Sequence, residues 1–312
     1  MKILIGHDGS PCADAALNDL RRAGLPEVAE AIVLSAANIW PYLRETTILE
    51  SQDWVLPPEA APQALIQSEF RRARDVAARA AKRLGESFIK WKITPVGDVA
   101  PAQWAIVKSA DEWHPDLVVI GSHGRSGFSR MILGSISSSV MTHLHCSVRI
   151  SRHSPNPERK AVRILLAVDG SPGSAAAVNT VLARRWPAGS EVCVMTVIDS
   201  AISTAIPADG LCAPEHSIRY ESVNDWVTEL VMRVAKKLQG AGLSSVPIVY
   251  RGDAKRQIVD EASRWDADCI FLGAKGLTRL QRFLLGSVST AVASRAHCSV
   301  EIVRDYDVNK DN

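Results

Sequence analysis

The sequence predicts an α/β protein built as two tandem doubly wound parallel-sheet sandwiches, and three repeated signatures carry that prediction. Ile3-Leu-Ile-Gly-His-Asp8-Gly-Ser-Pro11 recurs as Ile164-Leu-Leu-Ala-Val-Asp169-Gly-Ser-Pro172. The stretch GSHGRSGFSRMILGS at 121–135 recurs as GAKGLTRLQRFLLGS at 273–287, each reading glycine, two residues, glycine, nine residues, then Gly-Ser. His145-Cys-Ser-Val-Arg-Ile150 recurs as His297-Cys-Ser-Val-Glu-Ile302. A unit used twice agrees with the length prior of roughly 150 residues per domain for a 312-residue chain. Units of 1–152 and 160–305 follow, joined by 151–160, a polar stretch bearing two prolines.

The first unit opens on an apolar run, a strand near 2–7, and its Asp-Gly-Ser-Pro is helix-start chemistry for a helix over 10–23. A second apolar run marks a strand near 31–37. A proline-bearing connection, 39–62, leads to a long helix over 63–85. Its Phe70 to Arg83 stretch sets Ala and Val on one side and arginines on the other, the pattern of a solvated helix face. A strand near 88–94 precedes a helix over 98–113. The run Asp116-Leu-Val-Val-Ile120 then reads as a buried strand over 117–121, delivering the glycine loop to a sheet edge. A helix over 134–144 and a strand near 147–151 complete the unit, and the second unit repeats the order, with Asp268-Cys-Ile-Phe-Leu272 before its loop. Strands alternating with helices imply a parallel sheet covered on both faces. The offset between copies is 161 at Asp8 and Asp169, 155 at Gly97 and Gly252, and 152 at Gly121 and Gly273. That assigns six missing residues to the long connection and three to the following helical segment.

Composition narrows the function classes. Hydrophobic content of 46% and charged content of 22% suit a globular protein rather than a disordered one. The net charge of +2 and the scattered basic residues give no stripe for nucleic acid. Six dispersed cysteines without a CxxC pair argue against zinc ribbons and disulfide frameworks and favour a reducing, cytoplasmic setting. The start MKILIGHDGS is too short in its apolar run for a signal segment, and no run of about 18 apolar residues spans a membrane. His143-Leu-His145-Cys146 hints at a metal, but the matching Ser294-Arg-Ala-His297-Cys298 keeps only half of it, too few ligands for a closed site. Cys146 and Cys298 read as small buried apolar residues.

The repeated glycine loops are the candidate sites. Glycine lets the backbone turn sharply and a ligand approach closely. A Gly-Ser pair opening a helix adds unpaired N–H groups, a hydroxyl and the positive end of the helix dipole, together a phosphate site. Ser137 and Ser138, or Ser289 and Thr290, add hydroxyls in the same turn, and Arg125 and Arg130, or Lys275, Arg279 and Arg282, supply cations. Asp8 and Asp169, closing the first strands, belong at the same edge, where open parallel sheets bind ligands. They cap the next helix, meet a ribose hydroxyl or a hydrated divalent ion, or do both.

These motifs resemble the universal stress protein family, in its ATP-binding branch and its tandem form. The resemblance rests on both Asp-Gly-Ser entries, Gly97-Asp98 and Gly252-Asp253 as helix entries, both complete glycine loops and the cysteine before the last strand. It implies an adenine-nucleotide-binding sandwich with strand order 3-2-1-4-5, last strands that pair two domains within the chain, and ATP, AMP or ADP as ligand with Mg or Mn accompanying it. Carried over, it sets Asp8, Gly121, Gly124, Gly134, Ser135 and Ser137 at one nucleotide, and Asp169, Gly273, Gly276, Gly286, Ser287 and Ser289 at the other. The adenine would lie near Ala37 and Asn38, or Val197 and Ile198. Two departures stand out: His7 where the second copy has Val168, and Ser147 and Ser299 where the family usually has proline. The implied function is a non-catalytic, nucleotide-responsive stress regulator, without nucleic-acid or membrane partners. The rivals are a slow ATPase, for which no Walker A lysine or positioned base stands out, and an interaction scaffold with vacant or non-nucleotide sites. A further homodimer stays open.

Overall fold

In the computed structural model the described residues are 1–37, 63–124, 133–154, 156, 158–199, 211–212, 219–220, 222–276 and 285–304. The first unit runs β1 (Lys2–Gly6), α1 (Pro11–Leu20), β2 (Glu30–Ala36), α2 (Gln63–Ser87), β3 (Lys92–Asp98), α3 (Ala102–Trp113), β4 (Leu117–Gly121), α4 (Ser135–His143) and β5 (Ser147–Ser151). The second runs β6 (Arg163–Ala167), α5 (Pro172–Ala183), β7 (Glu191–Ile198), a two-residue pair β8 (Leu211–Cys212) and β9 (Arg219–Tyr220), and α6 (Val223–Gly240). It ends with β10 (Ser244–Arg251), α7 (Ala254–Arg264), β11 (Cys269–Gly273), α8 (Ser287–Arg295) and β12 (Ser299–Val303). The sheet order is β3-β2-β1-β4-β5 in the first unit and β10-β7-β6-β11-β12 in the second, both 3-2-1-4-5. Within this sheet pairing is parallel inside each unit, while β5 and β12 pair antiparallel and join the two into ten strands; β8 and β9 form a separate antiparallel pair.

Period-two alternation in fully buried strands builds both faces. Ile3 and Ile5 of β1 pack with Leu20 of α1 and Ala77 and Leu84 of α2, while Leu4 faces Ile106 of α3 and Val140 of α4. On the face covered by α3, α4, α7 and α8 the apolar cluster runs unbroken across the β5–β12 junction, from Ile150 to Val300 and Ile302. The opposite face holds two separate apolar cores, one per unit.

The helix caps assign the Asp-Gly-Ser-Pro repeats. Ser10 and Ser171 are the N-caps, their hydroxyls accepting from Ala13 N at 3.2 Å and Ser174 N at 3.1 Å, with Pro11 and Pro172 opening the helices. Asp8 and Asp169 are therefore not the caps. Each accepts instead from the amide two residues on, Ser10 N at 2.9 Å and Ser171 N at 3.0 Å, across turns in which Gly9 (φ 80) and Gly170 (φ 78) take the left-handed conformation that suits glycine. Ser171→Ala is expected to lower stability by about 1 kcal/mol, read from the denaturation midpoint, with Ser10→Ala costing a similar amount.

Three boundaries differ from the sequence expectation. The third strand is Lys92–Asp98 rather than 88–94, because Phe88 and Trp91 form a turn that packs on the core: Trp91 N donates to Phe88 O, the rings stack 4.0 Å apart, and the indole N–H donates to Pro26 O. Gly97-Asp98 consequently lies in β3, opposite Ser35 and Ala36, and is not a helix entry. Gly97 is required by packing, since a Cβ there would stand 2.7 Å from Arg74 N of α2. Register also relocates the length difference. Glu30 pairs with Lys92 and Glu191 with Ser244, so the offset has already fallen from 161 to 152 at the third strand. All the missing residues precede it, none is lost in the following helix, and Gly252-Asp253 matches Ala100-Pro101. Asp253 and Pro101 are the corresponding N-caps of α7 and α3.

The stretch joining the units is packed through its described residues. Ser151 ends β5 and donates to Asp19, Arg152 is buried, Ser154 donates to Asp268, and Arg159 reaches Asp266 and Asp268.

Candidate functional site

In each unit the strands diverge at one place: the first leads outward to the second and third, the fourth to the fifth, so a crevice opens at the carboxyl edge between first and fourth. Both crevices exist, and they are unequal. The second unit holds a cavity of about 660 Å³, the first one of about 60 Å³. One wall of the larger cavity is apolar, with Met195, Val197, Ile198, Ile258 and Leu272. Its rim is charged, with Asp169, Asp199, Asp253, Lys255 and Lys275. The glycine loop closes the third side with Gly273, Gly276, Gly286, Ser287 and Ser289.

The loop glycines have separable reasons. A Cβ on Gly276 would lie 2.7 Å from Asp169 Oδ2, and one on Gly124 3.1 Å from Asp8 Oδ2, so these two let the carboxylate reach the loop. Gly273 answers to packing: a Cβ there would stand 2.5 Å from the Gly173 carbonyl carbon in the first turn of α5, while one on Gly121 would meet Cys12 O at a less severe 3.1 Å. Gly134 and Gly286 are the N-caps of α4 and α8 and bring no side-chain cap. The first closed helical bonds are Ser138 N to Gly134 O and Thr290 N to Gly286 O, so the amides of Ser135, Ile136 and Ser137, or Ser287, Val288 and Ser289, have no intrahelical acceptor. Three such donors at the positive end of a helix favour negative charge there.

The hydroxyls divide differently from the sequence expectation. Ser137 and Ser289 are buried and donate to strand-end carbonyls, Ser137 Oγ to Gly121 O at 2.8 Å and Ser289 Oγ to Ala274 O at 3.0 Å, so they hold the loop onto the helix. Thr290 Oγ1 bonds back to Gly286 O within its own helix. Ser135 and Ser287 are exposed, and of the two only Ser287 lines its cavity. The adenine expectation also shifts by one position. Strand register matches Ala36 with Val197 and Ala37 with Ile198; Ala36 lines the small cavity, whereas the Ala37 amide donates to Asp98 O at 2.9 Å. Asn38, Arg125, Arg130, Arg279 and Arg282 lie outside the described residues. Sequence reasoning missed Met195, Ile258, Lys255 and Asp199. The offset of 152 was the available signal for Ile258, which matches Ile106 of the first cavity.

Lining side chains differ between the cavities. His7, His123 and Ile136 line the first cavity where Val168, Lys275 and Val288 line the second. His7 is buried, its Nδ1 accepts from Gly9 N at 3.2 Å, and its Nε2 meets Asp14 at 3.3 Å, so both ring nitrogens are committed to the turn. Burial holds its pKa below the ordinary 6.5 although Asp14 pulls the other way. A base with a depressed folded-state pKa binds fewer protons than the unfolded chain, so its contribution is intact above 6.5 and lost as pH falls through the folded value. His7→Val is expected to weaken the loss of stability on acidification below 6.5, seen in denaturation midpoints across that range. Burial also lowers the Lys275 ammonium from 10.5, with Arg304 adding to it.

Cys12, Cys146, Cys193, Cys269 and Cys298 are free thiols. Burial pushes the Cys146 thiol up to about 11, and those of Cys193 and Cys269 to about 12, which makes them packing residues rather than nucleophiles. Among the described residues no three His, Cys, Asp or Glu side chains gather as a metal cluster, and no helix is long and apolar enough to cross a membrane.

The model of the universal stress protein family matches residues 1–152 and again 161–304. The chain belongs to the universal stress protein family. It is thus a stress-response protein by family, in tandem form. A universal stress protein of Mycobacterium tuberculosis is 24% identical over 314 residues, which covers 97% of this chain and 96% of that one. A universal stress protein of Methanocaldococcus jannaschii is 29% identical over 149 residues, covering 48% of this chain and 85% of its own. Among solved structures, a universal stress protein from Archaeoglobus fulgidus superposes with a TM-score of 0.65 at 18% identity, over 97% of this chain and 98% of that one, a likeness of fold.

Proposed function

We propose that this universal stress protein binds an adenine nucleotide, ATP with Mg or Mn, in the cleft of its second unit and acts as a non-catalytic, nucleotide-responsive regulator. The observation that carries the reading is the cavity of about 660 Å³, within the roughly 300–1,000 Å³ of small-molecule sites, with an apolar wall at one end and uncapped helix amides at the other. Met195, Val197, Ile258 and Leu272 suit a purine, and Asp169 beside Gly276 suits a ribose hydroxyl or a hydrated cation. The amides of Ser287, Val288 and Ser289, with Lys275 on the rim, suit phosphates. A divalent ion would be carried chiefly by the phosphates, with Asp169 as its protein neighbour. AMP and ADP fit the same cleft with fewer phosphate contacts. The first unit, with about 60 Å³, is the weaker site in this reading. A cytoplasmic setting belongs to the same proposal, supported by the unbridged cysteines.

Calorimetric titration with Mg·ATP, Mg·ADP and AMP, together with native mass spectrometry of gently purified protein, tests it. One tight equivalent per chain is expected. Heatless titrations on folded protein that also carries no nucleotide would sink the proposal.

A further inference from the structure

The junction between the units carries two kinds of contact, and they differ in symmetry. β5 and β12 pair about a pseudo-twofold axis: Ile150 faces Val300, Arg149 faces Glu301 and Val148 faces Ile302. Because fourth- and fifth-strand residues of the two units are related by an offset of 152, Arg149 and Glu301 are equivalent positions, each opposite its own counterpart. The contacts at the strand ends respect that symmetry. Arg304 N donates to Ser147 Oγ at 3.2 Å and Arg152 N to Ser299 Oγ at 3.0 Å. The guanidinium of Arg304 reaches Met141 O in the last turn of α4, and that of Arg152 reaches Ala293 O in the last turn of α8. Ser147 and Ser299, standing where proline is usual, thus accept cross-unit bonds. These clasps are the same from either side and would form equally well between two like units.

The on-axis position does not respect the symmetry. Arg149 donates to both oxygens of Asp19, at 2.7 and 3.0 Å, and to Glu301 Oε2 at 3.0 Å, while Arg184 pairs with Glu301 Oε1. The result is a row of alternating sign, Asp19, Arg149, Glu301, Arg184, with its first half from unit one and its second from unit two. All four side chains are under a tenth exposed, and Glu301 is fully buried. The row sits on the sheet face where the two apolar cores are separate. Pairing two first units would set Arg149 against Arg149, and pairing two second units Glu301 against Glu301. Each Arg149 would keep Asp19, and each Glu301 Arg184, from its own unit. Two buried like charges would then face each other across the axis, which is unfavourable and lets buried ions specify a partner.

We propose that the Asp19–Arg149–Glu301–Arg184 row makes the β5 and β12 edges selective for unlike units. The edge of unit one accepts a unit bearing an acid at the on-axis position and rejects its own kind. The chain therefore closes on itself, and a second copy can engage these edges only by exchanging unlike units.

Two full-length variants test partner choice directly. Arg149→Glu sets two acids face to face, and Glu301→Arg sets two arginines face to face. Mixed, they offer one native row, between the second unit of the Arg149→Glu chain and the first unit of the Glu301→Arg chain. Each variant alone, refolded from denaturant, is expected to lose hydrogen-exchange protection in the β5 and β12 amides by about tenfold or more, or to fail to refold. The equimolar mixture refolded together should regain protection in half of these strands and show a heterodimer by native mass spectrometry. The proposal is overturned if either variant alone keeps wild-type protection there, or if the co-refolded mixture behaves as the sum of its components.

Discussion

Glu301→Leu is expected to lower unfolding stability by about 3–5 kcal/mol, a larger loss than a buried side chain of that size would cause by packing alone. Glu301 is fully buried and accepts from two guanidiniums, Arg149 and Arg184. Removing it leaves both cations in place at the strand junction. Arg149 retains Asp19, but Arg184 keeps only the Ala23 carbonyl and the face of Phe271, 5.4 Å from the ring centre. Water cannot compensate, because Arg149 is 1% exposed. Replacing Arg184 and Glu301 together by methionine and leucine should cost much less than the sum of the single changes, because Arg149 keeps Asp19 and no charge is then stranded. Guanidinium chloride denaturation of the two single variants and the double variant measures the difference. Losses that simply add would show that the pair is not the coupled unit its geometry describes.

Gly286→Val is expected to weaken Mg·ATP binding by about 10- to 100-fold, about 1.4–2.7 kcal/mol, with the far-UV circular dichroism unchanged. Its Cβ would lie 3.1 Å from Ala274 O and 3.2 Å from Ser289 Oγ, so the helix start or the loop facing it must give by a few tenths of an ångström, and the rest of the valine side chain adds to the crowding. The amides of Ser287, Val288 and Ser289 then no longer converge on one point. Gly134→Val makes the same change beside a cavity of only about 60 Å³ and should leave the measured affinity close to wild type. Equal losses from both substitutions would assign binding to both units rather than chiefly to the second. No loss from either would separate the glycine loops from the nucleotide altogether.

Much of this arrangement was legible in the primary structure because its cause is local. The apolar runs at 117–121 and 147–151 are strands at those boundaries. The Gly-Ser motifs do open helices at Ser135 and Ser287, because glycine followed by small polar residues is helix-start chemistry wherever it lies. The solvated face of the long helix was visible in its arginines. Errors arose where a local signal has two physical uses. Phe88 and Trp91 look like strand residues but stack as a turn, and Gly97-Asp98 looks like a helix entry but is a strand glycine cleared for the backbone of α2. Aspartate beside Gly-Ser-Pro looks like a cap, yet the serine takes the cap and the carboxylate accepts from the amide two residues on.

The sequence by itself determined the repeat, the strand-and-helix order and the place of the two glycine loops, since these follow from periodicity, turn chemistry and spacing within short segments. Only the tertiary structure decided which crevice is roomy and what lies on the pseudo-twofold axis. Arg149 and Glu301 are 152 positions apart, and nothing local to either marks the other as its partner. Their pairing exists because ten strands in one sheet bring two equivalent positions face to face, where burial leaves each charge dependent on the other.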